Sequence, residues 1–293
     1  MNKQFEISPY GNMLLYKKGY EADFVKHVIK ENNLSGLRIF DHLDRLSSLD
    51  FLKDYSFLKR LDIDCIEDQN YGFLKYLPDL TYLSIGISTK ENNIIDLSNQ
   101  KKLNELEIKW RKGKIIGLEE CTELKFLCIV SFKERDFEPI HHLKQLVNLE
   151  VKTASVETTE GLQGFNDLER LLLAYCPKLK SIKDISGLKE LSHVEIEACS
   201  KIEDYNKLTE LRNLKELEIV NCKGIASIGF IKKFPTLKKL SLLGNTDVLD
   251  GDLKPALVIP NVIYSPHKHY NIKIENKEHD ELVKQNMIKL KAK

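Results

Sequence analysis

Six cysteines are the residues of this 293-residue chain with the greatest chemical range: Cys65, Cys121, Cys128, Cys176, Cys199 and Cys222. Thiols can hold a metal, exchange disulfides or attack as nucleophiles once a neighbour lowers their pKa. No Cys-x-x-Cys occurs, and a chain this long and apolar does not need a disulfide framework. Cys176, Cys199 and Cys222 lie 23 residues apart in sequence. Such spacing stacks thiols in a ladder, about 4.8 Å per step if each sits beside its own strand, rather than converging them on one metal. They are read as buried thiols that bond loop backbone. Cys128 is expected to point outward from a strand, where nothing nearby lowers its pKa. His267 and His269 share a face but lack further ligands at a familiar spacing, and His141-His142 reads as an exposed loop pair. Gly-x-Ser-x-Gly, His-Glu-x-x-His, a P-loop and Gly-x-Gly-x-x-Gly are all missing from the sequence. Neither catalysis nor a cofactor or metal is expected.

The 23-residue step belongs to a repeat that runs through most of the chain. Leu-x-x-Leu-x-Ile begins at Leu34-Leu37-Ile39 and returns at Leu58-Leu61-Ile63, Leu80-Leu83-Ile85, Leu103-Leu106-Ile108 and Leu124-Leu127-Ile129. It continues at Leu146-Leu149-Val151, Leu168-Leu171-Leu173, Leu191-Val194-Ile196, Leu214-Leu217-Ile219 and Leu237-Leu240-Leu242, with a degenerate eleventh unit at Ile259-Val262-Tyr264. The last two apolar positions of each unit are two apart and share one face of a strand. One unit cannot bury that face alone, whereas stacked units bury it against each other. The strands then line up in parallel.

The pattern resembles the leucine-rich repeat family, whose signature L-x-x-L-x-L-x-x-N/C-x-L places Asn or Cys eight residues after the first Leu. Here that position holds Cys176, Cys199, Cys222 and Asn245. Earlier units depart from it, with His42, Ile66, Ser88, Arg111, Phe132 and Ala154. The departures bear on the side-chain hydrogen bonds of the N-terminal half, not on the fold. Units of 22–23 residues are most similar to bacterial internalin-type repeats. The resemblance implies an α/β solenoid, a curved horseshoe with a parallel sheet on the concave face and short helical or irregular convex segments. Three parts are expected: an N-terminal cap of strand pair and helix over 1–33, the repeats over 34–265, and a C-terminal cap and charged tail over 266–293.

Binding is expected on the side chains that flank the buried strand positions and face the concave side. Phe126, Cys128 and Val130 make one strand almost wholly apolar there, and Leu172 adds to it two units later. Trp110 and Tyr175 lie just past their strands. Aromatic anchors among polar residues are what protein interfaces use. Glu195 and Glu218 occupy one position on adjacent strands, flanked by Glu197 and Glu216. Such close like charges either invite a basic partner or splay into solvent.

The formal net charge of +1 gives no global attraction to nucleic acid or anionic lipid, and no apolar run reaches the length of a membrane span. The expectation is a non-catalytic module that binds a protein, basic in character, with no nucleic acid or membrane partner. It is expected to be monomeric, bacterial and cytoplasmic, for instance an adaptor or a toxin-immunity protein. The alternative is a secreted or surface adhesion protein of internalin type.

Overall fold

A computed structural model describes residues 5–42, 45–88 and 90–274. By its internal contacts the chain forms two compact units, 1–133 with 142–149, and 134–141 with 150–293.

In the first unit an antiparallel pair, β1 (Glu6–Ile7) and β2 (Leu14–Leu15), precedes helix α1 (Ala22–Glu31). The helix buries Val25 and Val28, which recur at helical spacing. Five strands follow: β3 (Leu37–Phe40), β4 (Arg60–Asp64), β5 (Tyr82–Ile85), β6 (Glu105–Lys109) and β7 (Phe126–Val130). They pair in parallel in that order, and β2 joins β3 in the same sense. The repeat is itself the register. Leu37, Leu61, Leu83, Leu106 and Leu127 lie opposite one another in succession, and all five are fully buried. Each such burial stabilises by roughly 1.5–3 kcal/mol.

Strand β8 (Asn148–Lys152) contains the boundary between the units, after Leu149. The second unit continues with β9 (Arg170–Ala174), β10 (His193–Glu197), β11 (Glu216–Val220), β12 (Lys239–Leu243) and β13 (Asn261–Tyr264). Its strands are also parallel, with Leu171, Val194, Leu217, Leu240 and Val262 in register. The degenerate eleventh unit is therefore a true strand.

The segments between strands carry a second spine, which the leucine pattern alone does not reveal. Leu49, Leu52, Tyr55 and Leu58 recur every three residues, and each of the last three donates its N–H to the carbonyl three residues earlier. Ile182, Ile185, Leu188 and Leu191 repeat this in the second unit. That is 3₁₀ geometry, in which residues i and i+3 eclipse. A three-residue apolar step thus keeps every spine residue turned inward, at 2% exposure or less. Residues 275–293, which include most of the expected C-terminal tail, lie outside the described residues.

Candidate protein-binding surface

Strand residues alternate between core and the opposite face, and that outer face presents three rows of side chains. In the first unit the middle row reads Arg38, Asp62, Ser84, Glu107 and Cys128 across β3 to β7. Arg38 pairs with Asp62 at 3.1 Å and with Asp64 at 3.6 Å. Arg60 lies over the Tyr82 ring at 4.1 Å and donates to both carboxylate oxygens of Glu105, at 3.2 and 3.3 Å. The Tyr82 hydroxyl donates to Glu107 at 3.1 Å. Lys109 is engaged by Glu91 at 2.9 Å.

Phe126 and Val130 are half-buried on this face, and Trp110 beyond β6 is half-buried against the Phe132 ring, edge-on at 4.9 Å. Cys128 departs from expectation. It points to the outer face but is buried, at 4% exposure. Its short side chain lies across the register from the longer Glu107, with Phe126 and Val130 on the same face of its own strand. Ala174 and Ser241 are sunk in the same way. Small side chains on this face are overshadowed by long ones.

In the second unit the register sets Glu195 directly beside Glu218, and His193 beside Glu216. The carboxylates are not an uncompensated block, however. Lys239 on the next strand reaches Glu218 at 2.8 Å and Glu216 at 3.7 Å, and His193 lies 3.3 Å from Glu216. The Tyr175 hydroxyl donates to Glu197 at 2.9 Å. Glu195 alone of the four has no hydrogen bond or ion pair among the described residues. Burial raises its pKa first, the neighbouring Glu218, Glu197 and Glu150 raise it further, and Lys152 opposes them more weakly. Leu172 is half-buried on the adjacent strand, whereas Tyr175 stands 53% exposed just past it.

Solved structures share this architecture. The chain is similar to an internalin, InlF, of Listeria monocytogenes, with a TM-score of 0.61 at 18% identity over 80% of this chain and 68% of that one. It is a leucine-rich repeat solenoid. The solenoid is also similar to the internalin InlC2 of the same organism, with a TM-score of 0.48 at 17% identity over 72% and 83% of the two chains. TLR13, solved in complex with ssRNA13, gives a TM-score of 0.55 at 16% identity; 89% of this chain is covered but only 47% of TLR13. No protein-family model and no curated protein matches the sequence.

Within the solenoid the cysteine series does backbone work. Cys199 donates to the carbonyls of Leu173 and Glu197 at 3.4 and 3.2 Å, and Cys222 to those of Ile196 and Val220 at 3.4 and 3.3 Å. The Cys222 sulfur accepts the Cys199 N–H at 3.4 Å. The next rung corrects the sequence reading. Thr246, not Asn245, accepts the Cys222 N–H at 3.1 Å and donates to Ile219 O at 3.2 Å. An extra residue in the turn after β12 shifts the inward position by one. Asn245 instead accepts the Lys223 N–H at 3.3 Å.

The N-terminal repeats depart from this ladder, with Phe132 and Ala154 buried at the equivalent position and a charge in one case. Arg111, at the departed position, is buried with Asp68 at 2.7 Å and lies over the Tyr71 ring at 5.3 Å. Asp68 also accepts the Asn92 and Asn93 backbone N–H groups at 2.7 and 2.8 Å. The spacing of Arg111 marked a break in the pattern, but its partner 43 residues earlier was not legible. His267 and His269 pack with Tyr270, and His269 lies 3.2 Å from Asp247. Among the described residues no group of three or more His, Cys, Asp or Glu is arranged to hold a metal. No helix among them is long and apolar enough to cross a membrane.

Proposed function

We propose that the solenoid is a non-catalytic module that holds a partner protein on the outer face of its strands. The observation that carries this reading is the second unit's face. There Leu172 and the exposed Tyr175 adjoin Glu195, a half-buried carboxylate that makes no hydrogen bond or ion pair among the described residues and feels Lys152 only through space. Apolar anchors beside charged groups that await a counter-charge are the composition of a protein interface. Strands β9 to β12 present four carboxylates to this face, Glu195, Glu197, Glu216 and Glu218, against Arg170 and Lys239. That balance favours a basic protein and disfavours a nucleic acid, whose phosphates require clustered Lys and Arg. Phe126 and Val130 offer apolar contact of the same kind in the first unit.

In this reading the chain is a bacterial cytoplasmic adaptor or immunity protein, acting as a monomer. Affinity capture with the full chain tests the binding surface. A partner held by the native chain is lost by the Phe126→Asp, Leu172→Asp double variant and weakened by Glu195→Lys. Retention of the same partner by all three would overturn the reading. Fractionation of the source cells tests the cytoplasmic placement, since an adhesion protein would be found at the surface or in the medium.

A further inference from the structure

The outer face of the first unit is interrupted by a cavity of about 570 Å³. Its origin is local. Ser84 on β5 and Gly86 just past its end, two of the smallest residues in the chain, occupy successive outward positions between longer residues on β4 and β6. A gap opens above them. Asp62 and Asp64 wall it on one side and Glu107 on the other, and Tyr10 and Tyr82, whose rings lie under the Arg38 and Arg60 guanidinium groups, line it too.

The charges around this gap do not balance. Arg60 lines it too, but its guanidinium is committed to Glu105 outside it. Lys109 is held by Glu91. Among the described residues only Arg38 and, when protonated, His42 at 3.1 Å from Asp64 offset the three carboxylates. Glu107 receives a single neutral hydroxyl, that of Tyr82. The rim is apolar, with Tyr10 67% and Ile87 58% exposed. A long side chain with an aliphatic stem and a cationic head fits both features, since the stem can pack on the rim while the head sits among the carboxylates.

We infer that this cavity receives an arginine or lysine side chain of the protein partner, the head seated over Ser84 and Gly86 between Asp62, Asp64 and Glu107. The inference rests on the protein-binding reading but assigns a separate site, in the other unit.

The experiment uses the full chain, isotope-labelled, titrated with N-acetyl-arginine methylamide and followed by NMR at the Ser84 and Gly86 amides. The neutral isostere N-acetyl-citrulline methylamide and the N-acetyl-glutamate analogue serve as competing probes. The expected result is a saturating shift of both amides with the arginine probe, at least tenfold weaker binding of citrulline, and none of glutamate. Glu107→Gln, which keeps its hydrogen bond from Tyr82, should weaken the arginine probe several-fold with the other resonances unmoved. Equal response to arginine and citrulline, preference for glutamate, or no shift of these amides would each overturn the proposal. None of these readouts depends on Leu172, Tyr175 or Glu195. A partner captured through that face without an arginine-specific shift therefore sinks the cavity and leaves the broader function standing.

Discussion

Ser131, Thr153, Tyr175, Ala198, Asn221 and Gly244 each follow the last residue of a strand, and each has a positive φ between 51° and 68°. This left-handed step turns the chain so that the next residue points inward, save after Gly244, where the inward residue is Thr246, one position further on. For a side chain other than glycine it costs about 1–2 kcal/mol. Thr153 is exposed and β-branched, so Thr153→Gly should raise stability by up to about 1 kcal/mol after glycine's own entropic cost. Urea unfolding measures it, and a loss of stability would show that the threonine side chain contributes more than its strain. All six cysteines are free and buried. Burial pushes the Cys222 thiol up to about 11 and those of Cys65 and Cys121 up to about 12. All six sulfurs are shut away from solvent, including Cys176, whose pKa the Cys199 thiol lowers, so a small maleimide should label none of the six until denaturant is added. Fast labelling of any one in the native chain contradicts this. Glu195 has a pKa raised above the ordinary 4.5 by burial and by Glu218 and Glu197. The folded state then binds more protons than the unfolded state just above that value. Stability attributable to Glu195 is accordingly present below pH 4.5 and lost as pH rises through the folded pKa. Glu195→Gln should flatten that decline, which pH-dependent urea unfolding detects; an unchanged slope contradicts it.

The elements were legible wherever the apolar step was regular. Period two within Leu-x-Ile predicts strands, and those strands pair at the register that aligns the leucines. The three-residue spine went unread because its positions accept Tyr55 and Gln100 as well as Leu and Ile. Gln100 is fully buried and donates to the Leu74 carbonyl at 2.8 Å, so the position demands inward packing and a partner, not a residue type. Two connecting segments offer sharp tests. Gly161 has φ +95°, and a Cβ there would lie 2.5 Å from the Glu138 backbone nitrogen. Gly161→Ala should cost at least about 2 kcal/mol, since backbone strain and a backbone clash act together. Arg111→Met removes the cation from Asp68 while leaving that carboxylate buried, and should cost about 3 kcal/mol. A loss near zero in urea unfolding would show that the backbone donors of Asn92 and Asn93 suffice for Asp68.

At the scale of the molecule, each repeat is stabilised by its neighbours, so a lesion should spread by proximity along the stack. Leu217 is fully buried on β11. Leu217→Ala should cost about 2–5 kcal/mol, with hydrogen-exchange protection lost first in β10, β11 and β12. Uniform loss across both units would contradict nearest-neighbour coupling. The sequence by itself determined the solenoid, because inward residues answer to one demand, burial, which repeats every 21–24 residues and is visible as type and spacing. What the outer face does was decided only by tertiary structure. There each side chain answers to neighbours one or two repeats away: Lys239 neutralises Glu218, Tyr175 holds Glu197, and Cys128 sinks beside Glu107. The cavity over Ser84 and Gly86 has the same origin, since two small residues become a site only once β4 and β6 stand on either side of them.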